Sequence, residues 1–238
     1  MASPEERKLL FERELSSGLR NYIVLRARKY DAIANEFIAA HPGCVVVNLG
    51  CGFDTRYWRI DHGRCLYVEL DLPQVIEMKR RALEARLDYR LIGASVLDHS
   101  WLDEVNPDGN RRVLLMAEGL FMYLPKPDVM SLFSAISGKF RESRLVFEVT
   151  TEAYTRGFWK RIVTMKVKRQ LGVDAGASYQ FGVRDAREVE SYGTGLHVVS
   201  EWSYVEDPDV RPRILTHLGL SRKQWTVVLG VNETVPCA

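Results

Sequence analysis

From residue 44 onward, the hydrophobic pattern alternates between short β-branched runs and longer segments with helical spacing. The short runs predict strands at residues 44–49, 65–70, 88–93, 112–117 and 144–150. The segments between them predict a short helix after Thr55, a helix from residue 73 to about residue 86, and a helix from residue 127 to residue 138. Because such alternation is typical of a mostly parallel sheet with helices on both faces, the pattern predicts an α/β fold.

Two helices are predicted before the first strand. Ser3, Pro4 and Glu6 form a helix-start signal, with a capping residue, a proline in the first turn and a closing carboxylate. Apolar residues then recur at helical spacing over residues 19–38, until a His-Pro-Gly sequence ends the pattern. We therefore expect residues 1–42 to form a helical cap over the sheet or over a pocket at its edge.

After residue 150 the regular alternation stops. The elements predicted there are a basic amphipathic segment at 155–171, a glycine-containing loop at 172–182, a short charged helix at 184–191, a strand at 196–204, a helix around 210–218 and a strand at 224–231. The late pair of strands predicts an antiparallel edge on the sheet.

No repeat, low-complexity run or linker divides the chain, so we expect one domain of residues 1–238. Its predicted parts are a helical cap at 1–42, a ligand-binding core at 43–150, a helical lid insertion at 151–195, and C-terminal strands that complete the sheet at 196–238.

Composition narrows the class of protein. Apolar residues make up 46% of the chain and charged residues 27%, with a formal net charge of +2, so no feature calls for nucleic acid or a membrane as partner. The N-terminus has no signal-peptide pattern, and we expect a cytoplasmic protein. The four cysteines have no C-x-x-C spacing, so we expect reduced, structural thiols and no metal site.

A glycine turn after the first predicted strand is the strongest chemical signal. The apolar run at 45–47 leads into Gly50 and Gly52, and the next predicted strand ends at Asp71. Glycines let the backbone turn sharply against a ligand, and an acid at the end of the second strand can accept hydrogen bonds from ribose hydroxyls. Cys51 lies inside the turn, but no base is placed near it, so a structural thiol is favoured over a nucleophile. The pattern predicts a nucleotide pocket.

The residues after the turn indicate which nucleotide. A dinucleotide fingerprint has a third glycine where this chain has Thr55, and Asp54 would place an anion in front of a pyrophosphate. A ligand with a sulfonium and an ammonium group would tolerate that acid, and Arg56 could meet its carboxylate. These features favour S-adenosylmethionine over a dinucleotide.

Several ordered blocks carry a family resemblance. Residues 48–56 resemble the glycine motif of the leucine carboxyl methyltransferase family, including its bacterial branch of polyketide and small-molecule O-methyltransferases. The further blocks that resemble the family are 26–31, 67–76, 93–98 with Trp101 and Leu102, and 117–124. The resemblance covers about residues 20–150. It implies a Rossmann-like class I methyltransferase fold with S-adenosylmethionine as cofactor and S-adenosylhomocysteine as product.

The resemblance also implies roles for individual residues. The positions it assigns to the cofactor are Arg26, Asn48, Gly50, Cys51, Gly52, Asp71, Leu72, Ser95, Val96, Glu118 and Gly119. Arg26 matches the arginine that pairs with the methionyl carboxylate, Asp71 matches the ribose-binding acid, and Ser95 with Val96 matches the positions flanking the adenine. The best-known eukaryotic members have an acid where Ser95 stands, so the resemblance implies that a hydroxyl, rather than a carboxylate, would accept a hydrogen bond from the adenine amine here. Glu69 either faces the pocket or pairs with a neighbouring cation.

Glu118 and Tyr123 are the predicted catalytic residues. Glu118 follows a buried apolar run and would contact the cofactor's amino group or line the methyl-transfer site; the alternative is a carboxylate paired with arginine or backbone. Tyr123 matches a tyrosine near the acceptor, with core packing as the alternative. None of the five histidines lies in a matched block, and the absence of a base favours a carboxylate acceptor over a phenol.

The function predicted from these features is O-methylation of a carboxylate or hydroxyl on a small, polyketide-like molecule. Two alternatives are a protein carboxyl methyltransferase and a cofactor-binding homologue without activity. Phe158 and Trp159 lie among cations in the predicted lid, which is either a solvated surface helix or a cover that attracts an anionic acceptor or an acidic carrier protein. The sequence does not indicate an oligomeric state.

Overall fold

The computed structural model describes residues 17–83, 86–171, 178–210 and 223–233. Within these ranges the α-helices are α1 (Ser17–Ala40), α2 (Pro73–Leu83), α3 (Trp101–Val105), α4 (Lys126–Lys139) and α5 (Gly157–Leu171). The strands are β1 (Val45–Leu49), β2 (Leu66–Asp71), β3 (Arg90–Gly93), β4 (Val113–Ala117), β5 (Ser143–Thr150), β6 (Leu196–Trp202) and β7 (Gln224–Val231).

The strands form one sheet with the order β3-β2-β1-β4-β5-β7-β6. Strands β1 to β5 are parallel to their neighbours, whereas β7 runs antiparallel to both β5 and β6. This confirms the predicted mostly parallel sheet with an antiparallel edge. The chain order reverses between β1 and β4, and in open α/β sheets ligands bind beyond the carboxyl ends of the strands at such a point.

Helices cover both faces of the sheet, as predicted. Strands β1 and β4 are buried along their whole length, which agrees with their continuous apolar runs. On one face, Tyr30 and Phe37 of α1 pack with Val46 and Met116. On the other face, α3 and α4 pack against the alternate strand residues, with Phe133 at the centre. The sheet is thus held between two helical layers.

Several element boundaries differ from those predicted. The helix expected after Thr55 is a 3₁₀ turn at Arg56–Arg59, and the short charged helix is a 3₁₀ helix at Ala186–Tyr192. The short helix α3 was not predicted as a helix, because five residues hold too few turns to display a period. The helix predicted from Ser3 and the one predicted around residues 210–218 lie outside the described residues, except for Val210. The division into cap, core and lid stays a prediction.

In the described part of the chain, no helix is both long enough and apolar enough to cross a membrane.

Candidate active site

The carboxyl edge of the sheet brings together most of the residues predicted to bind a ligand. Gly50 follows β1, Asp71 ends β2, Ser95 comes shortly after β3, and Glu118 follows β4. Parallel strands place their carboxyl ends at the same edge, so residues far apart in sequence become neighbours. From the α1 side, Arg26 reaches this edge and donates from Nε to Glu118 Oε1 at 2.7 Å.

The glycine turn is tied to the end of β2 by one carboxylate. Gly50 and Gly52 both have left-handed backbone angles, with φ of +63° and +49°. Asp71 Oδ2 accepts a hydrogen bond from the Gly52 N–H at 2.7 Å, and Asp71 Oδ1 accepts one from the Leu72 N–H at 2.7 Å. Each oxygen retains a further lone pair. A Cβ added to Gly52 would meet no atom within 4 Å, so the turn faces open space at this residue.

Gly50→Ala is expected to lower the free energy of unfolding by about 1–2 kcal/mol, because an alanine at φ +63° is strained. The new Cβ would also lie only 2.9 Å from Leu120 Cδ1. Urea unfolding followed by circular dichroism measures the loss. The matched control is Gly18→Ala in α1, where a Cβ meets nothing within 4 Å. Equal stability of the two variants would contradict the assignment of strain to the turn.

Arg26 is held by two carboxylates from neighbouring strands. Besides its bond to Glu118, it donates from Nη1 to Glu148 Oε2 at 2.9 Å. Burial alone would lower the pKa of Arg26, but Glu148 and Glu118 outweigh it and raise the pKa above its usual range. Among the described residues, Nη2 has no carboxylate partner. Arg26 is therefore a cation fixed through two of its three nitrogens.

Glu118 lies between two arginines, Arg26 and Arg56. Its Oε1 accepts from Arg26 and its Oε2 accepts a short hydrogen bond from Arg56 Nη2. The alternative interpretation, a carboxylate paired with arginine, thus describes its contacts. A contact between Glu118 and the cofactor stays a prediction.

Two residues of the glycine motif have buried side chains that bind Asp54 of the turn. Arg56 is fully buried, and its guanidinium has a carboxylate at each of its three nitrogens, so the expectation that it meets the cofactor's carboxylate is wrong. The Asn48 amide is also buried and donates to Asp54 Oδ2 at 3.0 Å and to the Tyr67 hydroxyl at 3.4 Å. These bonds support the turn. A contact between Asn48 and the cofactor stays a prediction.

The Cys51 thiol is buried, and burial together with the nearby Glu69 carboxylate raises its pKa well above the usual range. A thiol that stays protonated is a poor nucleophile, which agrees with the expected structural role. Glu69 pairs with Lys79, and its Oε2 lies 2.5 Å from Lys79 Nζ. Of its two predicted roles, the structure thus shows pairing with a neighbouring cation.

The predicted adenine positions lie beside β3. Ser95 is half-buried, and its Oγ accepts the Leu97 N–H at 3.2 Å. Val96 is buried, and its carbonyl accepts from Trp101 Nε1 at 3.0 Å, which fixes the backbone of this segment. Leu72 is 43% exposed next to Asp71, whereas Val68 and Leu70 of β2 are buried. An exposed apolar side chain at this edge is suited to contact with an aromatic base.

Tyr123 follows β4 and lies in a small apolar cluster. Its ring meets Tyr179 edge to face at 5.5 Å between centroids, and the cluster includes Met122, Tyr154 and Val163 of α5. Burial and the Glu148 carboxylate raise the pKa of Tyr123, so its hydroxyl remains a hydrogen-bond donor at neutral pH. The Tyr123 ring is therefore partly packed among apolar neighbours, which was the alternative interpretation. Contact of its hydroxyl with an acceptor stays a prediction.

Sequence reasoning missed Glu148, which is fully buried in β5. Its Oε1 accepts from the Tyr22 hydroxyl at 2.5 Å and from Gln224 Nε2 at 3.2 Å, in addition to the bond from Arg26. The signal was present in the sequence. A glutamate interrupts the apolar run of β5, as Glu118 follows that of β4, and buried carboxylates need partners.

The family model for leucine carboxyl methyltransferases matches residues 4–137, more than half of the chain. The tetracenomycin polyketide synthesis O-methyltransferase of Streptomyces glaucescens is 34% identical over 194 residues, which are 80% of this chain and 68% of that protein. An S-adenosylmethionine-dependent methyltransferase of Gibberella zeae is 30% identical over 195 residues, 78% of this chain and 64% of that protein. The chain thus spans about two thirds of the length of these relatives.

Solved structures are similar over most of the chain. A DUF574 family protein from Streptomyces avermitilis has a TM-score of 0.59 at 16% identity, with 89% of this chain and 82% of that chain covered. The magnesium protoporphyrin IX methyltransferase of Synechocystis with bound S-adenosylmethionine has a TM-score of 0.57 at 10% identity, with 94% and 88% covered. At such identities the likeness establishes the fold alone. From the family model and the relatives together, the chain belongs to the leucine carboxyl methyltransferase family of S-adenosylmethionine-dependent methyltransferases.

Proposed function

We propose that this protein transfers a methyl group from S-adenosylmethionine to an oxygen atom of a small molecule, with a carboxylate as the preferred acceptor. The observation that carries the proposal is the position of Arg26. Two of its nitrogens are held by Glu118 and Glu148, and its Nη2 lies at the carboxyl end of β4, 3.8 Å from where a Cβ on Gly119 would stand. A guanidinium held in this way is suited to the carboxylate of the cofactor.

The remaining contacts to the cofactor follow from the geometry of the edge. Asp71 would accept hydrogen bonds from the ribose hydroxyls with its free lone pairs, while its other bonds keep the turn of Gly52 in place. Leu72, Ser95 and Val96 would surround the adenine. When bound, the cofactor supplies a methyl group on a positively charged sulfur atom. The protein's own task is then to align the acceptor oxygen with that methyl group and to exclude water.

A carboxylate acceptor fits the groups on the Tyr123 side of the site. A carboxylate is already an anion at neutral pH and needs no base to activate it. Tyr123, whose pKa is raised by burial, would donate a hydrogen bond to one acceptor oxygen while the other oxygen is methylated. The rings of Tyr123 and Tyr179 would form an aromatic wall. The named relative from Streptomyces glaucescens acts in polyketide synthesis, and an aromatic polyketide acid would suit such a wall.

An acidic carrier protein is a second candidate partner, supported by the surface of α5. Phe158 and Trp159 are 71% and 53% exposed, and Arg156 and Arg161 are exposed beside them. An acceptor attached to an acidic carrier would bring a complementary charge to this surface. The protein-acceptor alternative has no such support, because the relatives described above are not protein methyltransferases by name.

Calorimetry with S-adenosylmethionine and with S-adenosylhomocysteine tests the cofactor, and we expect both to bind at one site per chain. Transfer of labelled methyl groups to matched pairs of aromatic carboxylic acids and phenols then tests the acceptor. Mild alkali separates the outcomes, because it hydrolyses a methyl ester and leaves a methyl ether intact. We expect an alkali-labile product. If only alkali-stable products form, the acceptor is a hydroxyl group and not a carboxylate. If neither form of the cofactor binds, the proposed function is overturned.

A further inference from the structure

Arg56 joins three segments of the chain that meet at the cofactor edge. Its Nε lies 2.9 Å from Asp31 Oδ1 in α1, its Nη1 lies 2.7 Å from Asp54 Oδ2 in the glycine turn, and its Nη2 donates to Glu118 after β4. The ring of Tyr30 lies 5.4 Å from the guanidinium carbon. No surface of the side chain remains exposed. Arg56 therefore has no route to a ligand, but it touches the segments that carry ligand-binding groups.

The contact with Glu118 extends the reach of Arg56 to Arg26. Glu118 uses one oxygen for each arginine, so the plane of its carboxylate is set by Arg56 on one side and is presented to Arg26 Nε on the other. Glu148 holds Arg26 Nη1 from β5. Two fixed carboxylates define the plane of the Arg26 guanidinium and hence the direction of Nη2. Because a planar donor binds a carboxylate well only in the correct orientation, this direction matters for the cofactor.

We propose that Arg56 is a positioning residue for the cofactor, which acts through Glu118 on the orientation of Arg26. The inference rests on the proposed role of Arg26 in binding the cofactor's carboxylate. It explains why the motif has an arginine at residue 56 even though the side chain is sealed from the pocket. It also assigns Glu118 a definite task, the transmission of orientation from one guanidinium to the other.

A lysine at position 56 would keep the charge but not this geometry. An ammonium is a compact point charge on a flexible stem and lacks the planar fork of a guanidinium. It would not hold Asp31, Asp54 and Glu118 at once. Glu118 would then be free to rotate, and the Arg26 guanidinium would lose one of its two fixed partners. We expect Arg56→Lys to weaken binding of S-adenosylhomocysteine by about tenfold, as when one charged hydrogen-bonding partner is misplaced.

A double-mutant cycle separates positioning from general destabilisation. Binding of S-adenosylhomocysteine is measured by calorimetry for the wild type, Arg56→Lys, Arg26→Gln and the double variant, so no turnover is needed. If Arg56 acts through Arg26, then Arg56→Lys should cost about tenfold in the wild type and less than about twofold in the Arg26→Gln background. The same loss in both backgrounds would overturn the proposal, because it would mean that Arg56 acts on binding without Arg26.

The matched control is Arg144→Lys. Arg144 is a largely buried, ion-paired arginine, with its Nε 3.0 Å from Glu233 Oε1, and it packs over Phe37 rather than near the glycine turn. Its replacement should leave the affinity for S-adenosylhomocysteine unchanged. If Arg56→Lys fails to fold, Asp54→Asn serves in the same cycle, because it removes one of the three ion pairs that hold the Arg56 guanidinium in place.

The outcomes also separate this inference from the proposed function. Absence of binding by the wild type would overturn both. Binding that is unaffected by Arg26→Gln would overturn the role of Arg26 and the positioning proposal with it, but not the use of the cofactor. Binding that depends on Arg26, combined with equal losses for Arg56→Lys in the two backgrounds, would overturn the positioning proposal alone.

Discussion

Replacement of Lys79 by methionine is expected to lower the free energy of unfolding by about 3–5 kcal/mol, because it leaves a buried carboxylate without its cation. Lys79 Nζ lies 2.5 Å from Glu69 Oε2, and both side chains are fully buried. The same ammonium donates to the Asp54 carbonyl at 2.8 Å and so ties α2 to the glycine turn. Methionine is unbranched and one atom shorter than lysine, and it removes the charge together with the hydrogen bond to the Asp54 carbonyl. Urea unfolding followed by circular dichroism measures the loss.

The cost should depend on the charge of Glu69. Burial outweighs Lys79 and raises the pKa of this carboxyl, and loss of the lysine would raise it further. A carboxyl with a raised pKa binds more protons in the folded state than in the unfolded state, so stability falls as the pH rises through that pKa. The deficit of Lys79→Met should therefore shrink when the pH is lowered towards the usual range of glutamate.

Two further variants test this explanation. Lys79→Met combined with Glu69→Gln removes both charges and keeps a partner for the Tyr89 hydroxyl, which lies 3.1 Å from Glu69 Oε2, so it should recover much of the loss. Arg90→Met breaks the ion pair with Glu104, in which both side chains are 49% exposed, and should cost less than about 1 kcal/mol. If the exposed and the buried pair cost the same, burial is not the cause.

Asp71→Ala is expected to weaken binding of S-adenosylmethionine by about ten- to a hundredfold, equivalent to about 1.5–3 kcal/mol. The substitution would remove the proposed partner of the ribose hydroxyls. It would also release the Gly52 N–H and the Leu72 N–H, which lie 2.7 Å from the two carboxylate oxygens. Calorimetry with the cofactor measures the change in affinity.

The control for Asp71→Ala is Asp61→Ala. The Asp61 side chain is 53% exposed, and its nearest cation is Arg64, at 3.8 Å. Its removal should leave the affinity unchanged. Unchanged affinity in Asp71→Ala as well would refute the role that the family resemblance carries over to this carboxylate.

Strong local signals explain why the core of the fold was predictable. Strands β1 and β4 are buried on both faces, so nearly every residue in them has to be apolar, and the runs stand out from the helices around them. The 3₁₀ turn at Arg56–Arg59 and the short helix α3 carry too few residues for a period, and their form depends on what they pack against.

In the candidate site, too, local features were predictable and long-range contacts were not. The turn at Gly50 and Gly52 and its contact with Asp71 could be expected from the sequence, because backbone geometry and strand ends are local properties of the chain. Glu148 and Arg56 were missed or misassigned because their roles depend on partners in other elements. Arg26 and Glu148 are 122 residues apart, and Arg56 and Glu118 are 62 residues apart. No spacing rule within one helix or strand relates such pairs.

The sequence by itself determined the alternating strands and helices, the position of the glycine turn and the family, because these follow from hydrophobic burial and backbone freedom along short segments. Only the tertiary structure decided which charges neutralise one another. The free energy of a buried ion pair depends on a separation of a few ångströms and on the exclusion of water, and both are set by how α1 and α2 pack on the sheet. For that reason the motif alone suggests that Arg56 binds a ligand, whereas in the fold its side chain is fully buried.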